Sequence, residues 1–310
     1  ETIGGYFARR WLLIQFILNI IASSLLPLIL INLAYKPLQT LILVFTPTII
    51  NLMVWTKAAK HSSRKNTEYK AKPLLHADDL GLSEANNIAI FELISKGQLD
   101  SASLLVNGAE VKNAIEGWEK LSNFPLCLHL CLTEGLATDS ENIKTNLTNK
   151  NNILIRSFFY LFCISLIPKK FLLRQKIEKE LKDEIESQVI LFQQLTKAKV
   201  ISIDGHQHIH LVPIVLNIII EISNKYNIQW VRTTKEPLPT NINLKDWLSI
   251  FRNGGLIKWI LLNMLSMKAK NNIRRKNIST NAAFAGILFT GSMIEPFLSN
   301  CLKELEFVEY

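Results

Sequence analysis

Residues 73–108 read PLLHADDLGLSEANNIAIFELISKGQLDSASLLVNG, and their pattern decides the fold class. Pro73–Ala77 is a short apolar run that enters the acid pair Asp78-Asp79. Residues 84–96 repeat apolar residues with a helical period, with Ser83 as N-cap and Gly97 as the C-terminal stop. Ser101–Val106 is a second strand-like run. A strand, a helix and a strand within roughly thirty residues form the unit of a parallel sheet.

The same alternation continues toward the C-terminus. Lys112–Leu121 reads as a helix, Leu126–Leu132 as a strand, and about 175–195 as a long helix rich in Glu and Lys. Val200–Ile203 is a strand, Pro213–Tyr226 a helix and Gln229–Arg232 a strand. The expected class is therefore α/β, with a mostly parallel sheet that is open or closed into a barrel.

Toward the N-terminus the composition shifts. Residues 57–73 form a polar, basic linker, and residues 1–56 carry two uncharged stretches, 11–34 and 38–55. At 1.5 Å per residue either can cross a hydrocarbon core of roughly 30 Å, the second only just. Tyr35-Lys36-Pro37 makes the turn between them, and Pro27 and Pro47 kink the two helices. A transmembrane hairpin is the preferred reading, ahead of one span with a re-entrant piece or an apolar helical pair. Arg9, Arg10, Lys57, Lys60, Arg64 and Lys65 flank the outer ends, which places those ends and the following domain on the cytoplasmic side.

The chain has 310 residues, a net charge of +9 and a pI near 9.3. The charge alone would suit nucleic acid, but no zinc-finger spacing, aromatic RNA-binding signature or recognition helix accompanies it. No nucleic-acid partner is expected; anionic membrane lipid fits the basic residues beside the apolar stretches. Four cysteines, irregularly spaced, imply no disulfide framework.

The chemistry is concentrated in the histidines. Three of the six lie in Asp204-Gly205-His206-Gln207-His208-Ile209-His210, and a fourth, His129, in Cys127-Leu128-His129-Leu130-Cys131. Read as a strand, the first run puts His206, His208 and His210 on one face. Asp78-Asp79, His129 and the histidine run all fall at expected C-terminal ends of strands, which converge on one face of a parallel sheet. Two imidazoles and a carboxylate there suit a divalent metal. Taken singly, Asp78-Asp79 also reads as a turn and cap, and His129 as a hydrogen-bonded core histidine. Cys127, His129 and Cys131 share a strand face as a weaker metal alternative.

Three ordered blocks resemble the YdjC-like carbohydrate deacetylase family: HADDLGLSEANNIAIFELISKGQLDSASLLVNG (76–108), CLHLCLTEG (127–135) and IDGHQHIHLVP (203–213). VRTTKEP (231–237) follows in place, and FAGILFTG (284–291) resembles a branch associated with hopanoid biosynthesis. The likeness covers 74–310, more weakly over 140–175 and 240–280. It implies a (β/α) barrel-like glycoside hydrolase/deacetylase fold and hydrolysis of the N-acetyl group of an amino sugar. It implies Asp79, His129 and His206 as metal ligands and Asp78 as the catalytic base. The implied ion is Mg2+, with Zn2+ second. Asn107, Glu134, Asp204, His208, His210 and Arg232 are the candidates for substrate contact or ligand orientation.

Cys127 stands where the family often has Gly, His76 where it often has Asn, and a further His-Pro-Gly block is missing after Leu305–Tyr310, as in a domain truncated at its C-terminus. Alternatives are a catalytically impaired membrane-bound carbohydrate-binding protein, or a remnant of a membrane glycosyltransferase fused to a deacetylase. Residues 240–280 are basic with apolar patches and read either as a lid for a lipid-linked, hopanoid-attached substrate or as an amphipathic helix packed on the sheet.

Overall fold

The computed structural model describes residues 73–290 apart from 122, 139–145, 238–246, 248–249 and 251–253. The chain divides into two units, Glu1–Tyr69 and Lys70–Tyr310. The expected spans at 11–34 and 38–55, and the linker that follows them, lie outside the described residues. Among the described residues no helix is long and apolar enough to cross a membrane.

Five strands form one sheet: β1 His76–Leu80, β2 Ser101–Leu104, β3 Leu126–Leu130, β4 Ile201–Gly205 and β5 Ile228–Val231. They pair in the order β1-β2-β3-β4-β5, every pair parallel. The helices between them are α1 Glu84–Ser95, α2 Val111–Trp118, α3 Phe158–Leu166, α4 Leu172–Thr196 and α5 Pro213–Tyr226, with α6 Gly255–Arg274 after β5. The parallel α/β class is as expected. Barrel closure is absent among the described residues; beyond β5 there is a single parallel bridge, Trp230 to Ser279.

Sequential order and right-handed crossovers send every connecting helix to the same face of the sheet. That face is apolar: Ala102, Leu104, Leu128, Leu130, Ile201, Ile203 and Val231 are buried in the core. Burial of such side chains at ~25 cal/mol per Å² drives the layer together. The alternate positions face the other way and are polar: His76 and Asp78, Ser101 and Ser103, Cys127 and His129, Ser202 and Asp204.

Local signals set the element ends. Ser83 Oγ accepts the Asn86 amide at the start of α1, and Gly97 adopts φ 66° beyond its end. Pro213 opens α5, and Asn227 closes it in the left-handed region. α4 buries Ile177, Leu181, Ile185, Val189 and Phe192 along one stripe. The same stripe carries Gln188, which donates to the Cys131 carbonyl (2.6 Å) and accepts from its amide (3.1 Å). That reciprocal pair pins α4 to the C-terminal end of β3.

One expectation is corrected and one is settled for its inner face. The run 206–210 is not a strand. β4 ends at Gly205 and His206–Leu211 is a tight 3-10 turn, with Gln207 and His208 at φ 52° and 59°. The chain must reverse there to enter α5, so the three histidines point in different directions. Within 240–280, α6 packs Leu262, Leu265, Ala269 and Ile273 into the core. The amphipathic reading of that helix therefore holds for its inner stripe.

Candidate metal centre

Asp78 and Asp79 are adjacent, and adjacent strand residues ordinarily face opposite sides. Here a register shift between Ala77 and Leu80 breaks the β1–β2 ladder, and Asp79 sits at φ 66°. The bulge re-aims Asp79, so both carboxylates reach the polar face. Asp tolerates the left-handed region better than most residues, which is why the motif accommodates it.

His129 enters from β3, where the register sets it opposite Asp204 of β4. Its Nδ1 donates to Asp204 Oδ1 at 2.6 Å, and Ser103 Oγ lies 3.0 Å from the same nitrogen. That bond fixes the ring so that Nε2 faces outward, 3.1 Å from Asp79 Oδ1. His206, the first residue after β4, brings Nδ1 to 2.7 Å from Asp79 Oδ1. Its Nε2 is fixed by Glu134 Oε1 at 2.6 Å. One ligand atom each from Asp79, His129 and His206 lies within 4.8 Å of the others. The three expected ligands are thus brought together.

A second group, His76, Asp78 and Asp204, lies alongside. Arg232 already supplies its cation. The guanidinium forks onto Asp78, Nη1 to Oδ2 at 3.0 Å and Nη2 to Oδ1 at 2.9 Å, and Nη2 also bonds Asp204 Oδ2. His76 Nε2 lies 3.2 Å from Asp204 Oδ2 and 3.5 Å from Asp78 Oδ1, and its Nδ1 bonds Ser101 Oγ at 2.7 Å. Among the described residues neither group includes a cysteine.

Electrostatics follow from this packing. Burial would raise the Asp78 carboxyl, but the charges of Arg232 and His129 and the Arg232 hydrogen bonds together hold the pKa below the usual carboxylate value. Asp204, fully buried, is held well below that value by Arg232 and His129 against the same penalty. Burial opposes the charged form of His129 too, yet Asp204 pushes its pKa up to about 10. Asp79 is lowered by its bonds to His129 and His206, again against burial. Burial pushes the Cys127 thiol up to about 12, leaving it a neutral thiol beside the carboxylates.

The remaining candidates divide. Glu134, Asp204 and Arg232 orient site residues, as above. Asn107 stands apart from the ligands; its Nδ2 donates to the carbonyls of Glu134 and Leu136, at 3.4 and 3.3 Å, and so ties the loop after β2 to the loop after β3. His208 is buried edge-on against Phe284, with burial driving its pKa down to about 3. His210 is wholly buried, and its Nε2 donates to the Arg232 carbonyl at 3.0 Å. Neither reaches the ligand cluster; the shared strand face expected for the histidine run does not exist. Ser103 and His76 were missed as site residues. Ser103 was legible as the second serine of the S-x-S-L stretch, two places after Ser101 on the same strand face.

A family model described as YdjC-like protein matches residues 74–309. The chain belongs to the YdjC-like family. Proteins named carbohydrate deacetylase are similar over part of their length. One from Danio rerio is 29% identical over 54% of this chain and 51% of that protein. One from Mus musculus is 28% identical over 58% and 54%, and one from Clostridium beijerinckii 27% identical over 62% and 74%. The chain spans about half the length of the first two of these relatives. A solved Enterococcus faecalis structure, of a protein ascribed to cellobiose-phosphate cleavage, has a TM-score of 0.43 at 14% identity and covers 68% of this chain and 95% of its own.

Proposed function

We propose that the YdjC-like domain hydrolyses the N-acetyl group of an N-acetylated amino sugar, with a divalent ion held by Asp79, His129 and His206. The convergence of those three groups from β1, β3 and the turn after β4 carries the reading. Each imidazole turns one nitrogen to the cluster while a carboxylate, Asp204 or Glu134, holds the other, an arrangement that orients metal-binding histidines. Two imidazoles and one carboxylate suit Zn2+ better than Mg2+, which prefers oxygen; on donor chemistry the order of the two ions given by the family resemblance is reversed. Bound there, such an ion supplies a Lewis acid for the acetyl carbonyl and lowers the pKa of water.

The protein's own part is proton transfer and positioning. Asp78 is ionised and 37% exposed, beside the ligands yet held by Arg232 rather than committed to them. It is placed to take a proton from water and, once protonated, to return it to the leaving amine. Arg232 fixes the plane of the Asp78 carboxylate by its fork, and Ser103 Oγ at 3.4 Å from Asp78 Oδ1 adds a weaker hold. His210 is excluded as the base because it is buried and bonded to backbone.

The finer reading is a lipid-linked sugar, hopanoid-attached in the branch that residues 284–291 resemble, met by an enzyme anchored through 11–34 and 38–55 with its domain on the cytoplasmic side. The uncharged stretches and their basic flanks support it. Acetate release by the full chain in vesicles, from N-acetylglucosamine oligomers and from lipid-linked N-acetylglucosamine, is the test. Faster release from the lipid-linked sugar is expected. Release from neither, by metal-loaded protein, would leave a binding protein; equal or faster release from the oligomers would remove the lipid.

A further inference from the structure

The corner between α3 and α4 exposes more large apolar side chains than its neighbours. Phe159, Leu166, Phe171, Leu172 and Leu173 are 67%, 68%, 50%, 65% and 48% exposed. α3 buries Leu161 and Ile164 on one side and turns Phe159 and Leu166 outward. The turn closes on Pro168, whose carbonyl accepts the Phe171 amide at 3.1 Å. Exposing such side chains to water is unfavourable, and a patch of this kind marks a contact surface.

Charge identifies what meets it. Between Glu141 and Glu178 the sequence holds Lys144, Lys150, Arg156, Lys169, Lys170, Arg174 and Lys176 and no acid. Lys169, Lys170 and Lys176 are exposed at the corner itself. Lys170 lies over the Phe171 ring, 5.8 Å from its centroid, and Lys169 is 3.6 Å from Glu178. Apolar side chains ringed by lysines fit an interface whose interior is hydrocarbon and whose surface is anionic. The uncharged stretches of the same chain have no charge to set against these lysines, and a second copy would bring like charge to like.

Position gives the contact a consequence. Gln188 of α4 is level with the end of β3 through its two bonds to Cys131. α4 ends four residues before β4 begins, so its start, with the corner, lies toward the strand ends that carry Asp79, His129 and His206. Ser165, beside Leu166, accepts the Ile214 amide at 3.2 Å, which anchors the corner next to the turn that holds His206.

We infer that the α3–α4 corner is a membrane-docking site that inserts its apolar side chains into an anionic bilayer and turns the Asp79–His129–His206 face toward that surface. This stands on the corner's own chemistry, not on deacetylation, and its test reads lipid contact rather than turnover. The full chain is placed in vesicles of phosphatidylcholine, with or without phosphatidylglycerol, that contain a phospholipid with a photoactivatable acyl chain. Labelling of the peptide 157–176 in the anionic vesicles is expected. It should fall about fivefold for each lysine removed among Lys169→Gln, Lys170→Gln and Lys176→Gln. Leu172→Ser with Leu173→Ser should lower it in any lipid, with unchanged circular dichroism. Absence of label on 157–176 while residues 11–55 are labelled would overturn the inference. So would labelling indifferent to phosphatidylglycerol, or cross-links between copies at this peptide, which would make the corner a subunit interface.

Discussion

Asp78 and Asp79 are neighbours in sequence with different tasks in space. Asp79 lies on the two imidazoles, whereas Asp78 lies in the fork of Arg232. Replacing Asp78 by Asn keeps the shape and leaves all three ligands, so metal content should be unchanged while acetate release falls ~10²–10⁴-fold. Steady-state rates on metal-quantified protein check this; near-normal turnover would move proton transfer to another group, His76 being closest. His210 offers a second test. Burial lowers its pKa to about 4, with Arg232 adding to the effect and Asp204 opposing it. The unfolded chain binds that proton at the ordinary value near 6.5, the folded chain only near 4. Its contribution to stability is therefore present above pH 6.5 and lost as pH falls toward 4. Urea midpoints of wild type should drop over that window, and His210→Gln should flatten the slope; identical slopes would mean that His210 is protonated in the fold. Asp79, His129 and His206, the three proposed ligands, and Asp78 stand in the sequence as residue types in family-like blocks. The bulge that turns Asp79 was not, because two adjacent acids read equally as turn and cap.

Strands and helices were largely legible because their signals are local. α5 runs Pro213–Tyr226 as expected, since a proline starts it and an asparagine in the left-handed region ends it. The histidine run failed as a strand. Alternation of polar and apolar residues looks the same whether the chain continues the sheet or tightens into a turn, and the need to reverse direction before Pro213 decides it. α3 was not anticipated, because a nine-residue apolar run such as Phe158–Leu166 has no clear period. The loops after β1 and β2 touch at Gly81 and Gly108. A Cβ on Gly108 would stand 2.2 Å from the Gly81 carbonyl oxygen, a backbone atom that cannot swing aside. Gly108→Ala should therefore lower the unfolding free energy by about 2–3 kcal/mol and loosen metal binding by shifting the Asp79 loop. A wild-type urea midpoint in that variant would show that the two loops can part at no cost.

At the scale of the molecule, one sheet face is apolar and helix-covered, while the other carries a polar row that converges at the strand ends. That asymmetry follows from sequential parallel order and was implicit in the strand–helix alternation. Cross-strand neighbours such as His129 and Asp204, 75 positions apart, come from register, which single-sequence patterns do not specify. The candidate metal centre joins both levels, so metal content tests it most directly. The full chain and its His206→Ala variant are equilibrated with Zn2+, freed of excess ion and measured by elemental mass spectrometry against protein concentration. About one ion per wild-type chain is expected for a site of this donor set, and far less in the variant, which loses one of three ligands. Equal metal in both proteins, or none in a folded wild type, would contradict the site.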